Sequence, residues 1–338
     1  MRAPGRGASQ ASAGVLCPYI EAHPGSPLLT LGARSLGQWD EFVADLRARV
    51  PGQPFDYQRT GTVQVALADA EAAHLTATRD WLRGQGIAAE WLTGASLVEC
   101  EPGVTPEALG GLLIPLHGFV HVPDLVRALV LATRLAGGRV VTPVDVIHVE
   151  QVRDRAVVRM GDSTEEYDVV VVAAGSWSRR VRVAGVPVLP VRPIRGQLLE
   201  LEAREGELAR RSVWSEECYT VPWAGRRLLV GATVEDVGFD EGSTASGVAG
   251  LIDAVRRLLP ASAAARIADI RVGLRPVTAD HLPLLGPLPD RPRVVVAAGH
   301  YRNGILLAPL TAEVVARHVL DGTRDEALAV TDPARVFT

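Results

Sequence analysis

Lysine is missing from this chain: all 35 of its basic residues are arginine, and Asn303 is its only asparagine. Without a lysine amine there is no Schiff-base nucleophile, no P-loop phosphate lysine and no kinase strand lysine, so those chemistries are excluded. The bias has a mundane source, because arginine, alanine, glycine, proline and valine are what GC-rich coding favours. Cysteine is scarce too. Cys17, Cys100 and Cys218 are odd in number and far apart, which supports neither a disulfide framework nor a CxxC metal or redox site and fits a reducing cytoplasm. No apolar run reaches the ~18 residues of a membrane helix, and the N-terminal MRAPGRGASQASAG lacks the apolar core of a secretion signal. The net charge of −4, with arginines scattered along the chain, argues against nucleic acid as a partner. The expectation is a cytoplasmic protein with no membrane and no nucleic-acid partner.

What is present is an ordinary globular composition. With 47% hydrophobic and 22% charged residues over 338 positions, the chain has material for one large core or two smaller ones, and disorder or collagen-like repeats are excluded. Apolar spacing predicts a helix over Leu28 to Arg49, ended by Val50-Pro51-Gly52. Thr60 to Leu67 alternates as a half-buried strand, and Asp69 opens a helix to Gly84. A helix opened by Pro123 and Asp124 and running to about Ala136 is closed by Gly137-Gly138. Arg139 to Val144 then reads as a strand, and Val149 to Met160 as part of a meander. Asp168 to Ala174 (DVVVVAA) reads as a central strand buried on both faces. Strands follow at Gly196 to Glu202, Cys218 to Val221 and Arg227 to Val234, then a helix from Gly247 to Leu259, a strand from Ile267 to Gly273, a buried strand at Val294 to Ala298 and a helix from Asn303 to Leu320. Two α/β segments alternate with two antiparallel ones, which predicts two domains crossed more than once by the chain.

Three glycine-punctuated strand ends are candidates for ligand contact, since α/β sheets bind ligands beyond the carboxyl ends of their strands. In VVVAAGHYRNGILLAPL (294–310) a strand feeds Gly299, a polar turn and a helix start with Gly304, which offers N–H groups to an electron-rich ligand. An ordinary strand–loop–helix corner has the same pattern. Arg275, held extended by Pro276, suits either a forked contact with a carboxylate or a structural ion pair. Tyr219 suits either donation to that carboxylate or simple packing. His117 and His121 have no third ligand in view, and Ser176 lies outside any GxSxG elbow, so no metal site and no serine nucleophile are expected.

Six segments, GASQASAGVL (7–16), VVVAAGSWS (170–178), VRPIRGQ (191–197), YTVPWAGRRLLVGATVEDVGFD (219–240), GLRPVTADHLPLLGP (273–287) and GHYRNGILLAPLTA (299–312), follow one another along essentially the whole chain. In order and spacing they resemble the glycine oxidase family, the thiamine-pathway branch of the D-amino-acid oxidase superfamily of FAD-dependent amine oxidases. The resemblance implies an α/β, two-domain (α+β) fold: a glutathione-reductase-like FAD domain (1–55, 106–190 and 268–338) interleaved with an antiparallel-sheet substrate domain (56–105 and 191–267). It implies oxidation of glycine or another small amino acid to its imine and glyoxylate, with molecular oxygen reduced to hydrogen peroxide, in a homotetramer that serves thiamine thiazole biosynthesis. Matched by motif, Arg275 would clamp the substrate carboxylate, Tyr219 would assist, and Arg302 would lie over the substrate side of the flavin. Ala8, Ser9, Ala13, Gly14, Val15, Val144, Ala174, Gly175, His300, Tyr301, Arg302, Asn303, Gly304, Ile305 and Leu306 would contact FAD. The chain departs from the family at Val15, Val234 and Glu217, where larger side chains or histidine occur. It also departs at its start: the first βαβ unit with GxGxxG precedes the GAS motif in the family, so the expectation is a reading frame that begins upstream of Met1. Two alternatives stand beside this reading: another superfamily oxidase or dehydrogenase acting on sarcosine, D-proline or a D-amino acid, and a non-catalytic remnant unable to hold FAD.

Overall fold

A computed structural model describes residues 4–21 and 25–337. The elements begin as β1 (Val15–Leu16), α1 (Pro18–Glu21), α2 (Pro27–Arg49), β2 (Tyr57–Gln58), β3 (Thr62–Ala66), α3 (Asp69–Gly84), β4 (Glu90–Leu92), α4 (Ala95–Cys100), β5 (Gly110–Ile114), β6 (Gly118–Val120) and α5 (Val122–Leu135). The middle is strand-rich: β7 (Val146–Val152), β8 (Arg155–Met160), β9 (Ser163–Tyr167), β10 (Val170–Val172), β11 (Arg182–Val183), β12 (Arg192–Glu202), β13 (Ser212–Trp214), β14 (Tyr219–Trp223) and β15 (Arg227–Gly231). Then come α6 (Ala245–Leu258), β16 (Arg266–Val277), β17 (Leu284–Leu288), β18 (Arg291–Ala298), α7 (Ala308–Asp321) and α8 (Glu326–Thr331).

Eight strands form one sheet in the order β16-β12-β15-β14-β13-β3-β5-β4, antiparallel throughout except where β13 meets β3. Three smaller sheets have the orders β1-β6-β2, β10-β18-β17 and β11-β7-β8-β9. Helix α6 covers the large sheet, placing Leu251, Val255 and Leu258 in one core with Val63, Leu199, Val213 and Val230. Helix α2 is capped by the Ser26 hydroxyl, which accepts from the Leu28 N–H. Its buried stripe of Leu36, Trp39, Val43 and Leu46 repeats every three or four residues and packs on Val120, Leu125 and Leu306.

Helices expected over 28–49, 69–84, 123–136 and 247–259 are present within a few residues of those limits. Three expectations need correction. Arg139 to Val144 is not a strand: its valines meet no neighbouring strand, Pro143 lacks an N–H, and pairing begins only at Val146. The DVVVVAA segment is not buried on both faces. Only Val170–Val172 is strand; it pairs in parallel with β18 on one side, has no partner on the other among the described residues, and leaves Val171 41% exposed. Helix α7 starts at Ala308, not Asn303, so residues 300–307 form a turn-rich loop whose polar backbone is not consumed by a helix.

Candidate functional site

A cavity of about 300 Å³ lies where this loop, the N-terminal turn at Ala8–Ala11 and one face of the large sheet converge. Its walls come from sequence-distant segments, and each is fixed by a contact that can be named. The N-terminal turn rests on β16, with Gln10 Nε2 donating to the Val272 carbonyl (3.2 Å). Gly14 then turns the chain into β1 at φ +75°, so close to β6 that an added Cβ would lie 1.9 Å from the Val120 oxygen; only glycine fits both demands. On the far side, Ser35 Oγ (2.7 Å) and Trp39 Nε1 (3.0 Å) from α2 both donate to the Leu306 carbonyl. That pair of bonds turns the Leu306 oxygen toward α2 and anchors the 300–307 loop. Among the described residues, the N–H groups of Gly304, Ile305 and Leu306 in this wall donate to no protein acceptor.

The floor is β14, β15 and β16, which supply Tyr219, Gly231 and Arg275. Arg275 lies within β16, opposite Ile194 of β12, rather than after the strand as the sequence suggested. Its guanidinium crosses diagonally over Gly196, where an added Cβ would sit 2.3 Å from Nη2, so the missing side chain there is the space Arg275 occupies. One nitrogen, Nη1, donates to the Thr233 carbonyl (2.9 Å) and the Arg195 carbonyl (3.3 Å). No carboxylate of the described residues pairs with Arg275. Among the described residues the ion-pair alternative therefore finds no acid, and a cation with donors to spare faces the cavity.

Tyr219 of β14 lies beside it. Its ring stacks on Trp214 with centroids 4.7 Å apart and passes over Gly231, where a Cβ would come 2.5 Å from the phenol oxygen. Arg302 lies over the Tyr301 ring at 5.1 Å, and the Tyr301 N–H is tied to the Pro276 carbonyl (2.7 Å), which joins the loop to the strand carrying Arg275.

Of the residues named from sequence, the cavity gathers Ala8, Ser9, Ala13, Val15, Tyr219, Arg275, Tyr301, Arg302, Asn303, Gly304, Ile305 and Leu306. Gly14, Val144, Ala174, Gly175 and His300 are not in its walls. Gly14 acts one step behind through its turn, while Val144 sits in the loop before β7 and Ala174-Gly175 beyond the end of β10. His300 instead bonds Thr311 through Nε2 (3.0 Å), and burial pulls its pKa down to about 4, so at neutral pH it is an uncharged brace. Sequence reading missed the wall formed by Trp214, Ser215, Glu216 and Cys218. Its signal was weak: a short polar connection between two strands looks like any hairpin. Burial raises the Cys218 thiol to about 11, which removes it as a nucleophile at neutral pH.

Other candidates resolve into structure. His117 bonds Thr62 (2.8 Å) and His121 pairs with Asp124 (2.8 Å), while the Ser176 hydroxyl donates to the Leu274 carbonyl (2.7 Å). Among the described residues no group of three or more His, Cys, Asp or Glu is placed to hold a metal, and no helix is long and apolar enough to cross a membrane.

Comparison with known proteins agrees with this architecture. The chain is 36% identical over 313 residues to glycine oxidase of Geobacillus kaustophilus, covering 92% of this chain and 83% of that protein. It is 31% identical to the bifunctional protein ThiO/ThiG of Synechocystis sp., covering 98% of this chain and 48% of the larger protein. The crystal structure of glycine oxidase from Geobacillus kaustophilus superposes with a TM-score of 0.91 at 34% identity, covering 98% of this chain and 89% of that one. A profile of the family described as DAO, FAD dependent oxidoreductase, matches residues 1–318, and the chain belongs to that family.

Proposed function

We propose that this protein oxidises glycine or a closely related small amine to its imine, which water converts to glyoxylate and ammonia, while oxygen takes the two electrons and becomes hydrogen peroxide. The observation that carries the reading is Arg275: a guanidinium over Gly196, with no acidic partner, in a cavity of about 300 Å³. Thiamine thiazole synthesis as the destination, a cytoplasmic location and a homotetrameric state belong to the same proposal. So does the division into an FAD domain at 1–55, 106–190 and 268–338 and a substrate domain at 56–105 and 191–267.

The walls fit the cofactor that the family uses. Small side chains at Ala8, Ser9 and Ala13 leave room along one side, and the free N–H groups of Gly304, Ile305 and Leu306 suit an electron-rich ring edge on the other. FAD, when bound there, supplies the acceptor for the substrate's hydride. The chain's own residues do the positioning. Arg275 forks onto the carboxylate and fixes the α-carbon. Tyr219 closes the carboxylate side with a ring that Trp214 stacking holds in place. Neither Arg275 nor Tyr219 serves as a base in this reading, and His300 is turned away to Thr311, so the amine is taken to bind deprotonated.

The test is a substrate panel on flavin-loaded protein, read as peroxide and glyoxylate. Glycine turnover is the expected result. Peroxide from sarcosine, D-proline or a D-amino acid without glycine turnover would move the assignment to another oxidase of the superfamily. A flavin-loaded protein inert to all of them would end the proposal.

A further inference from the structure

Arg275 shares this strand pair with other arginines, and one of them, Arg195, is tied to the segment that holds it. Arg195 of β12 is 3% exposed and lies beside Ile194, the residue opposite Arg275. Its guanidinium bonds Glu235 and Asp240 and donates to the Gly242 carbonyl (2.9 Å). Glu235 in turn accepts from Gln197 Nε2 (2.7 Å) and from the Thr233 hydroxyl. Beyond the end of β15 the same residues are stitched by backbone: Arg195 N–H to the Glu235 carbonyl (2.9 Å), Glu235 N–H to the Arg195 carbonyl (3.0 Å), and Thr233 N–H to the Gln197 carbonyl (3.2 Å). The two carbonyls that hold Arg275, those of Thr233 and Arg195, both belong to this stitched segment.

We propose that Glu235 is a positioning residue: by clasping Arg195, Gln197 and Thr233 it fixes the 233–235 segment against β12 and so sets where the Arg275 guanidinium points. The clasp touches no substrate. It acts through two peptide oxygens, and without it the only side-chain tie between 232–235 and β12 among the described residues would be the Thr233 hydroxyl accepting from the Gln197 N–H (2.9 Å), because the regular β12–β15 ladder ends at Gly231. The proposal rests on the reading of Arg275 as the carboxylate clamp, and its test separates the two.

The measurements are the Kd of acetate from the flavin absorbance change, the KM and kcat for glycine, and the Kd of FAD, on holoenzyme carrying Glu235→Gln, Arg275→Ala or both. Glu235→Gln is expected to raise the acetate Kd and glycine KM about tenfold, with kcat and FAD Kd within about twofold, and Glu235→Asp to recover part of the loss. In the double variant Glu235→Gln should add nothing to Arg275→Ala, because its effect passes through that side chain. If Glu235→Gln does not fold, Gln197→Leu, which removes one arm of the clasp, is expected to give a smaller rise of the same kind. Unchanged acetate binding in Glu235→Gln, multiplying effects in the double variant, or parallel losses of FAD affinity would overturn the proposal while leaving Arg275 in its role. Unchanged acetate binding in Arg275→Ala would overturn the carboxylate reading and the proposal with it.

Discussion

Arg195 and Arg275, on opposite faces of the β12–β16 pair, are held in opposite ways. On one face Arg195 is saturated by Glu235, Asp240 and a carbonyl; on the other, the guanidinium of Arg275 receives only two carbonyls, both through the same nitrogen. A buried cation is tolerated only when paired and hydrogen-bonded. The contrast teaches that Arg195 is satisfied within the chain, while Arg275 keeps donors for an arriving anion. Saturation on one side also supplies the rigidity that an unsaturated group needs on the other.

The comparison can be broken most severely at Arg275 itself. Arg275→Ala should cut kcat/KM for glycine by about 100-fold or more, since losing one partner of a desolvated charged contact costs ~2–5 kcal/mol. Steady-state peroxide release would show it, with little change in unfolding midpoint because no protein acid loses its partner. The saturated face should respond in the opposite sense. Arg195→Ala leaves Glu235 without its cation, and a loss of about 3 kcal/mol in urea unfolding is expected. Gly196→Ala should separate position from charge: the new Cβ displaces the Arg275 guanidinium, a flexible side-chain end, so KM rises about tenfold with stability nearly unchanged. An unchanged KM would mean the observed pose is not the working one.

Acid offers the gentlest comparison. Burial would raise the Glu235 carboxyl, but bonds from Arg195, Thr233 and Gln197, together with the Arg195 charge, hold it at about 2, below its ordinary 4.5. Its contribution is therefore complete above about 4.5 and is lost as pH falls toward 2. His117 is lowered by burial, and secondarily by Arg59, from 6.5 to about 3, and burial lowers His300 from 6.5 to about 4. The unfolded chain protonates these histidines first, so their contribution fades as pH drops below 6.5. Each should add a slope of up to about 1.4 kcal/mol per pH unit. Unfolding free energy measured from pH 7 to 3 should decline in two stages, and Glu235→Gln should reduce only the lower one, to which Asp280, also held at about 2, contributes.

Much of this could be read from the chain before folding. Where a segment's period matched its burial, as in α2 with Leu36, Trp39 and Val43, element and face were legible, whereas β3 was legible as a strand but is buried on both faces rather than half-buried. Motif spacing brought Arg275, Tyr219 and residues 301–306 to one cavity although they lie up to 87 residues apart. What stayed hidden depended on neighbours. RVVTPV has strand composition but no strand beside it, and DVVVVAA reads as interior although Val171 is bare, since local composition does not encode pairing. The clasp was hidden for another reason. Glu235 is one of 39 acidic residues, and nothing in VEDVGFD tells which of them meets Arg195 across the sheet.

The bare side of β10 has a consequence for handling the protein. Among the described residues no strand pairs with its outer side, and Val170–Val172 carries no lysine, no proline and no charge to blunt such an edge. Concentrated solutions of this chain should therefore thicken into strand-paired assemblies sooner than its net charge of −4 suggests. A single Val171→Lys substitution should delay that onset without touching the cavity.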